Sequence, residues 1–556
     1  MKKNLLMTTF RLFAGFMIVL VSGSAALSQN LSAADVQTII AQAVSTAVAM
    51  NQKVTVSVTD TEGHLLGTFQ MTGASTNTLI RSVGRAGQGL ENLTVPATAA
   101  AHSKAGTAAI LSSGGNAFTT RTASFIIQEH FPPGIDNTSG GPLYGVQFST
   151  FTCSDVAIAG LPLGLSGDPG ALPLYRNGAA VGGIGIEVDG LYSIDRNPAD
   201  NDQTAEEMIA VGGSRGFEAP ALIRGDNILV GGVRFPYANV DSVPAVTTMP
   251  FGTLPGVITS PIVATPPSDF IPATLNGVSG QMSSRFPIVA GSALTAAEVT
   301  QILGEAAAYA NRTRAAIRQP IGSNARVTMS VVDTNGNVLG IFRQTDAPVF
   351  GLDVAVQKAR TANFFALGNA GAKLTAAGFG SYVTRAATDG LGLNGSIAFS
   401  DRGFGFIHRP LFPDGINDTQ SGPFSTEFVD WSPFNNGLQL DLVKGALTTP
   451  CAPPRPTRGI DGRRGISRGG GPPACPCTAI PELKNGIQIF AGGIPLYRGS
   501  TLVGAIGVSG DGIDQDDLIA AGGANSFAAP DGIRSDKFFV RGVRLPFLKF
   551  PARPFL

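Results

Sequence analysis

The pattern of apolar and polar positions changes period twice near the start of the chain. Val36, Ile39, Ile40 and Val44 recur at helical spacing behind Ser32-Ala-Ala-Asp35. That is a capping-box arrangement, with a side-chain acceptor for orphan amides and an acid in the first turn. Val54, Val56 and Val58 then alternate with Thr55, Ser57 and Thr59, the period of a half-buried strand. After Thr61-Glu62-Gly63, the run Leu65-Leu66-Gly67-Thr68-Phe69 predicts a returning strand, so a helix followed by a β-hairpin opens the fold. The whole succession returns later: Leu294-Thr-Ala-Ala-Glu298-Val299, then Val327-Thr-Met-Ser-Val-Val-Asp333-Thr-Asn-Gly336-Asn-Val-Leu-Gly340-Ile-Phe342.

Two more blocks repeat in the same order. Pro173-Leu-Tyr175-Arg176 through Gly182, Gly185, Asp189 and Gly190 is matched by Pro495-Leu-Tyr497-Arg498 through Gly504, Gly507, Asp511 and Gly512. Ile223-Arg224-Gly-Asp226 to Val233-Arg234-Phe-Pro236 is matched by Ile533-Arg534-Ser-Asp536 to Val543-Arg544-Leu-Pro546. Ordered matches of this kind identify a tandem duplication. They divide the chain into a first module, 29–240, and a second, 293–547, with a short tail at 548–556. Residues 241–292 are rich in Pro, Ser, Thr and Gly without a sustained period, and are expected to be a linker. Each module carries an insertion at the same place, 143–172 and 424–494, and Gly and Pro density predicts surface loops there.

Composition narrows the function classes. Gly accounts for 71 and Pro for 37 of the 556 residues, and only 14% are charged, against roughly 25% in an average soluble domain. Basic and acidic residues balance at 39 each, which argues against a nucleic-acid partner, because phosphate binding needs a clustered positive excess. Lys2, Lys3 and Arg11 precede the apolar run Leu12 to Val21 and a small-residue stretch through Ala26 and Ser28. This is the order of a secretory signal peptide over 1–28, too short to span a bilayer, so the mature chain is expected to be exported, periplasmic or extracellular, without a transmembrane anchor. In such a compartment Cys153, Cys451, Cys475 and Cys477 are disulfide candidates. Pairing Cys475 with Cys477 is disfavoured, which leaves Cys451 with either of them and Cys153 with the other. A Cys475-Pro-Cys477 metal or redox site lacks a fourth local ligand.

The run Gly492-Gly-Ile-Pro495-Leu-Tyr-Arg-Gly-Ser-Thr-Leu-Val503-Gly504-Ala-Ile-Gly507-Val-Ser-Gly510-Asp511, with Asp516-Asp-Leu-Ile-Ala-Ala-Gly522 and Lys358-Ala-Arg-Thr361-Ala362, resembles the GlcG/HbpS family of haem-binding proteins. The first module keeps Lys104-Ala-Gly-Thr107-Ala108 and the Pro-Leu-Tyr-Arg block. The resemblance implies an α/β fold of the α+β sandwich type: two tandem modules, each a central antiparallel sheet flanked by helices. It also implies self-assembly between modules or as a homo-oligomer, and a small-molecule ligand, with haem or a related tetrapyrrole first. The ligand pocket is placed by resemblance at the Lys104 and Lys358 segments.

The duplication offers an internal comparison, since a ligand held by both modules should meet the same residues twice. Lys104 and Thr107 correspond to Lys358 and Thr361, each pair sharing a helix face, with the ammonium suited to a carboxylate and the hydroxyl to a hydrogen bond. The bland alternative is a snorkelling Lys and a Thr bonded back to its own turn. Arg121 and Arg402 form a second matched pair able to capture a carboxylate. Arg176 and Arg498 are as readily solvent ion pairs. The four histidines are not matched between copies, so duplicated axial ligation of haem iron is not expected, and no metal ligand set is assigned. Asp60 and Asp333 read as turn residues, as do Asp189 and Asp511. Gly182-Gly-Ile-Gly185 fails the dinucleotide pattern and fits close packing or a bulge in a buried strand instead, while Gly212-Gly213 and Gly522-Gly523 are expected to cap helices. No nucleophile–base pair appears in both copies. The leading expectation is therefore an exported, non-catalytic binding protein. A haem-degrading or other small-molecule-converting enzyme, and a structural module whose insertions bind proteins, are the alternatives.

Overall fold

A computed structural model describes residues 30–448 and 476–556. The segment read as a signal peptide, and Cys451, Cys475 and the Arg-rich centre of the second insertion, lie outside the described residues. The first module opens with α1 (Ala33–Ala49), β1 (Thr55–Thr59) and β2 (Leu65–Met71). A small sheet pairs β3 (Asn77–Ile80) with β4 (Thr94–Pro96) ahead of α2 (Ala97–Ile110) and α3 (Thr120–Ile126). The hairpin β5 (Ala171–Arg176) and β6 (Ala179–Glu187) follows, then β7 (Leu191–Tyr192), α4 (Ala205–Gly213) and the short hairpin β8 (Leu229–Val230) and β9 (Val233–Arg234). The capping box expected at Ser32 forms, with Asp35 returning to the Ser32 amide at 2.8 Å. Asp60 Oδ1 accepts the amides of Glu62 and His64, both at 2.9 Å, and Gly63 takes a positive φ of 89°. The hairpin is thus made by the turn chemistry read from the sequence.

Residues 241–292 correct the linker expectation. They supply β10 (Gly256–Ser260), which pairs with β2, and the hairpin β11 (Phe270–Leu275) and β12 (Val278–Ser283), which extends the second module's sheet. Edge pairing with a preformed sheet satisfies backbone groups that local period could not announce. The second module continues with α5 (Ala296–Ala310), β13 (Val327–Val332), β14 (Val338–Gln344) and α6 (Gly351–Phe365). Next come α7 (Ala370–Ala376), α8 (Gly380–Thr388), α9 (Asp401–Phe406) and α10 (Leu438–Thr448). The sheet closes with β15 (Gly493–Arg498) and β16 (Thr501–Gly510), followed by α11 (Ile513–Gly523) and the hairpin β17 (Phe539–Val540) and β18 (Val543–Arg544).

Strand orders are β10-β2-β1-β6-β5 in the first sheet and β11-β12-β14-β13-β16-β15 in the second, antiparallel throughout. This is the α/β sandwich expected, with helices on both sheet faces. On β6, Ile184 meets α4 while Gly183 and Gly185 face α2, and a Cβ at Gly185 would stand 2.2 Å from the Ala101 carbonyl. Gly507 meets the Ala355 carbonyl of α6 in the same way, at 1.9 Å. The close-packing reading of these glycines therefore holds. The helix-capping reading of Gly212-Gly213 and Gly522-Gly523 does not. They lie inside the last turns of α4 and α11, where a Cβ at Gly212 or Gly522 would strike Thr46 or Tyr309 at 2.3 Å, so helix–helix contact is what requires them.

The insertions also differ from expectation. Their described parts are not surface loops. Tyr144, Val146, Phe148, Phe151, Trp431, Leu438 and Ile489 are buried in one core that both modules share. Trp431 Nε1 donates to Tyr144 Oη at 2.7 Å, Gln147 Nε2 to the Pro433 carbonyl at 3.0 Å, and Gln439 Nε2 to the Gly145 carbonyl at 3.0 Å. Cys153 and Cys477 are disulfide-bonded across the same junction, one of the pairings left open by sequence.

Candidate functional site

The glycine notches on β6 and β16 let α2 and α6 lie directly on the sheets, and this carries Lys104 and Lys358 into the interior. Lys104 Nζ stands 2.5 Å from Asp168, 2.5 Å from Glu206 and 3.2 Å from Glu187, and donates to the Ile186 carbonyl at 2.9 Å. Lys358 Nζ meets Asp516 at 2.9 Å, the Val508 carbonyl at 2.8 Å and Ser509 Oγ at 3.3 Å. Both ammonium groups are fully buried. Aligning the repeated sequence blocks matches Glu206 with Asp516, but Ser509 stands for Glu187 and Phe490, whose ring lies 4.5 Å from the ammonium, stands for Asp168. Three carboxylates therefore surround one lysine in the first module, and a single directly bonded carboxylate serves the second.

Burial opposes the charge on Lys104, and the attraction of Asp168, Glu187 and Glu206 outweighs it, so the ammonium is held well above its ordinary range. Burial pushes Asp168 up to about 8 against the pull of Lys104, and drives Glu206 upward as well. Asp516 rises to about 7 for the same reason. Asp401, buried near Lys358 with both carboxylate oxygens lacking a hydrogen-bond partner, is also raised.

The other residues expected to take a ligand are likewise committed inside. Thr107 donates to the Ser103 carbonyl and accepts the Ser166 amide, both at 2.7 Å. Thr361 does the same with Gln357 at 2.8 Å and Gln488 at 2.9 Å, so each threonine anchors its module's insertion. Arg121 binds Glu207 through two nitrogens at 2.8 and 2.6 Å and reaches Asp195 at 2.7 Å. Arg402 pairs with Asp517 and with Asp514 at 2.6 Å. The matched cations are thus already held by the protein's own carboxylates. Sequence reasoning missed those partners, although Glu206-Glu207 and Asp516-Asp517 open α4 and α11 as a matched acid pair. Arg176 and Arg498 are partly exposed ion pairs with Asp35 and Glu298 at 2.6 and 2.5 Å.

The histidines are scattered. His64 bonds Asp60 at 2.9 Å, a place filled by Asn337 and Asp333 in the second module, and His130 bonds the Thr138 carbonyl at 2.8 Å. His102 contacts the Gly63 carbonyl at 3.3 Å. His408 is buried between Phe404 and Phe424, and burial with Arg385 and Arg409 nearby keeps it neutral.

An open space lies between the modules instead. A cavity of about 410 Å³ is walled by Leu111, Leu143 and Phe235 from the first module and by Ile317, Phe350 and Ile513 from the second. Its size falls in the roughly 300–1,000 Å³ span of small-molecule sites. The lining is apolar apart from Asp514 and Gln515, and it contains no His, Cys, Met, Tyr or Lys. Among the described residues the lining offers neither a cation for a tetrapyrrole's carboxylates nor the side chains that usually bind haem iron, and its one charged group is Asp514.

Residues 463–525 match a family model described as "Haem degrading protein HbpS-like". No curated protein matches the chain. Among solved structures, the chain is similar to a PduOC–haem complex (20% identity, 34% of this chain and 97% of that one, TM-score 0.22). It is also similar to Klebsiella pneumoniae protein ORFY (18% identity, 34% and 90%, TM-score 0.21). A third is a double mutant of Streptomyces reticuli HbpS (18% identity, 38% and 97%, TM-score 0.21).

Proposed function

From a second module that is HbpS-like across residues 463–525, we propose that the chain is an exported binding protein for haem or a related tetrapyrrole, and that it binds without turnover. The match of residues 463–525 to that family model carries this reading, and the cavity of about 410 Å³ between the modules adds apolar walls. Enclosure of an apolar ring by aliphatic and aromatic walls contributes about 25 cal/mol per Å² removed from water, which needs no ligated metal. The buried lysines and arginines support binding over catalysis, since each is engaged by internal carboxylates and none faces the cavity. Export is supported by the signal-peptide pattern and by the Cys153–Cys477 disulfide, a bond that persists in oxidising compartments. Among the described residues no helix is long and apolar enough to cross a membrane.

Titration of the purified mature chain with haemin and with metal-free protoporphyrin tests the proposal. Both should bind saturably in the micromolar range or tighter, with a shifted Soret band. Under reductant and oxygen, bound haem should change only between its ferric and ferrous spectra and return to the starting ferric spectrum on reoxidation, with no loss of Soret absorbance. Absence of any spectral change with either porphyrin would sink the binding reading. Loss of the Soret band with iron release would replace it with degradation.

A further inference from the structure

The cavity between the modules discriminates among guests by charge, and we infer that it takes uncharged, ring-bearing, largely hydrocarbon molecules in preference to anionic ones. This goes beyond the tetrapyrrole reading, which rests on the family match of residues 463–525. The deep walls are the buried side chains of Leu111, Phe118, Phe235 and Phe350. Phe118 and Phe235 meet edge to face with ring centroids 5.6 Å apart, so aromatic surface is presented to a guest's rings. The exposed Gly231, in the turn between β8 and β9, and the exposed Ala552 of the C-terminal tail mark the mouth.

The polar side chains of the lining are already engaged. Asp514 accepts from Arg402 at 2.6 Å and pairs with Lys549 at 3.1 Å, while Arg402 also binds Asp517. Two acids and two cations therefore balance, and among the described residues no other charged side chain lines the cavity. Gln515 Nε2 donates to the Arg314 carbonyl at 3.2 Å. A carboxylate or sulfonate taken inside loses its hydration, meets no free cation and approaches Asp514. Burial of an unpaired ion on those terms is strongly unfavourable. An uncharged ring system loses little hydration and gains the removal of its apolar surface from water. A porphyrin shares these walls only with its carboxylates left in solvent.

Two fluorescent probes with one ring skeleton test this: uncharged N-phenyl-1-naphthylamine and its sulfonated counterpart, 8-anilinonaphthalene-1-sulfonate. The full disulfide-bonded chain should bind the uncharged probe saturably, and at least about tenfold more tightly than the sulfonate. Ile317→Trp fills the cavity from the second module and Leu143→Phe from the first. Each should weaken the uncharged probe at least about threefold, and near-native thermal melting of either variant keeps the comparison valid. Val230→Lys, beside the mouth, supplies a cation and should narrow the preference by tightening the sulfonate. Equal or reversed affinities in the native chain would overturn the inference. So would absence of binding by the uncharged probe, or tight binding of it that all three substitutions leave unchanged. If the probes behave as expected while haemin fails to bind, this inference stands and the tetrapyrrole reading falls.

Discussion

At the scale of single residues, Lys104 decides the electrostatics of the first module. Removing it leaves Asp168, Glu187 and Glu206 buried around an empty position. Breaking a buried ion pair from one side costs about 3–5 kcal/mol. Lys104→Ala is therefore expected to lower unfolding free energy by that amount, and Lys358→Ala by less, because Asp516 is its one directly bonded acid. Chemical denaturation of the two variants side by side checks the order. The same cluster makes stability depend on pH. Asp168 is raised from its ordinary 3.8 to about 8, so the folded state keeps a proton that the unfolded chain has released. Its contribution is full below about pH 4 and declines as pH rises toward 8, with a slope of at most about 1.4 kcal/mol per pH unit. Lys104 stays charged across that window, and Glu206, also raised, acts in the same direction. Asp168→Asn should flatten the decline measured between pH 5 and 8. An unchanged slope would place the proton on another group.

At the scale of elements, each module depends on a helix pressed onto a strand at a glycine, Gly185 of β6 and Gly507 of β16. An alanine at Gly185 would meet the Ala101 carbonyl at 2.2 Å and the Ala105 amide at 2.4 Å, both backbone atoms that cannot turn aside. Overpacking of this kind costs about 1–3 kcal/mol, so Gly185→Ala and Gly507→Ala should each lower the melting temperature. Gly178→Ala serves as a contrast, since its Cβ would meet nothing, although its φ of 82° carries a conformational cost of its own. This dependence was legible as repeated glycines in a strand pattern. The strands of 241–292 were not, because a segment such as Gly256–Ser260 becomes a strand only by pairing with Met71, Gln70 and Phe69 of β2. An edge strand of this kind draws on its neighbour's hydrogen bonds and needs no strong pattern of its own.

At the scale of the whole molecule, the modules behave as one body because their insertions build a common core, with Phe148 and Tyr144 from one side and Trp431 and Leu438 from the other. Calorimetry should accordingly show one cooperative unfolding transition, and two separated transitions would contradict a shared core. The Cys153–Cys477 bond joins positions 324 residues apart. Removing a native disulfide from a small secreted domain typically costs about 2–5 kcal/mol, and Cys153→Ser plus Cys477→Ser should lower the melting temperature without splitting the transition, because the apolar contacts remain.

Read alone, the chain's sequence determined the duplication, the capped helices, the two hairpins with their Asp-bearing turns, and the glycine notches. All of these are set by neighbours within a few residues or by periodic spacing. The fate of the matched cations was decided only in three dimensions. Lys104 finds Glu206 at a separation of 102 residues, and Lys358 finds Asp516 at 158. Matched residue types could show that these lysines do the same work in both modules, but not that the work is internal. The cavity was equally out of reach, since it exists where Leu111 and Leu143 of one module fail to fill the space against Ile317 and Phe350 of the other. Local pattern fixes which face of an element is apolar. Only packing decides whether that face meets another side chain or leaves a volume for a guest.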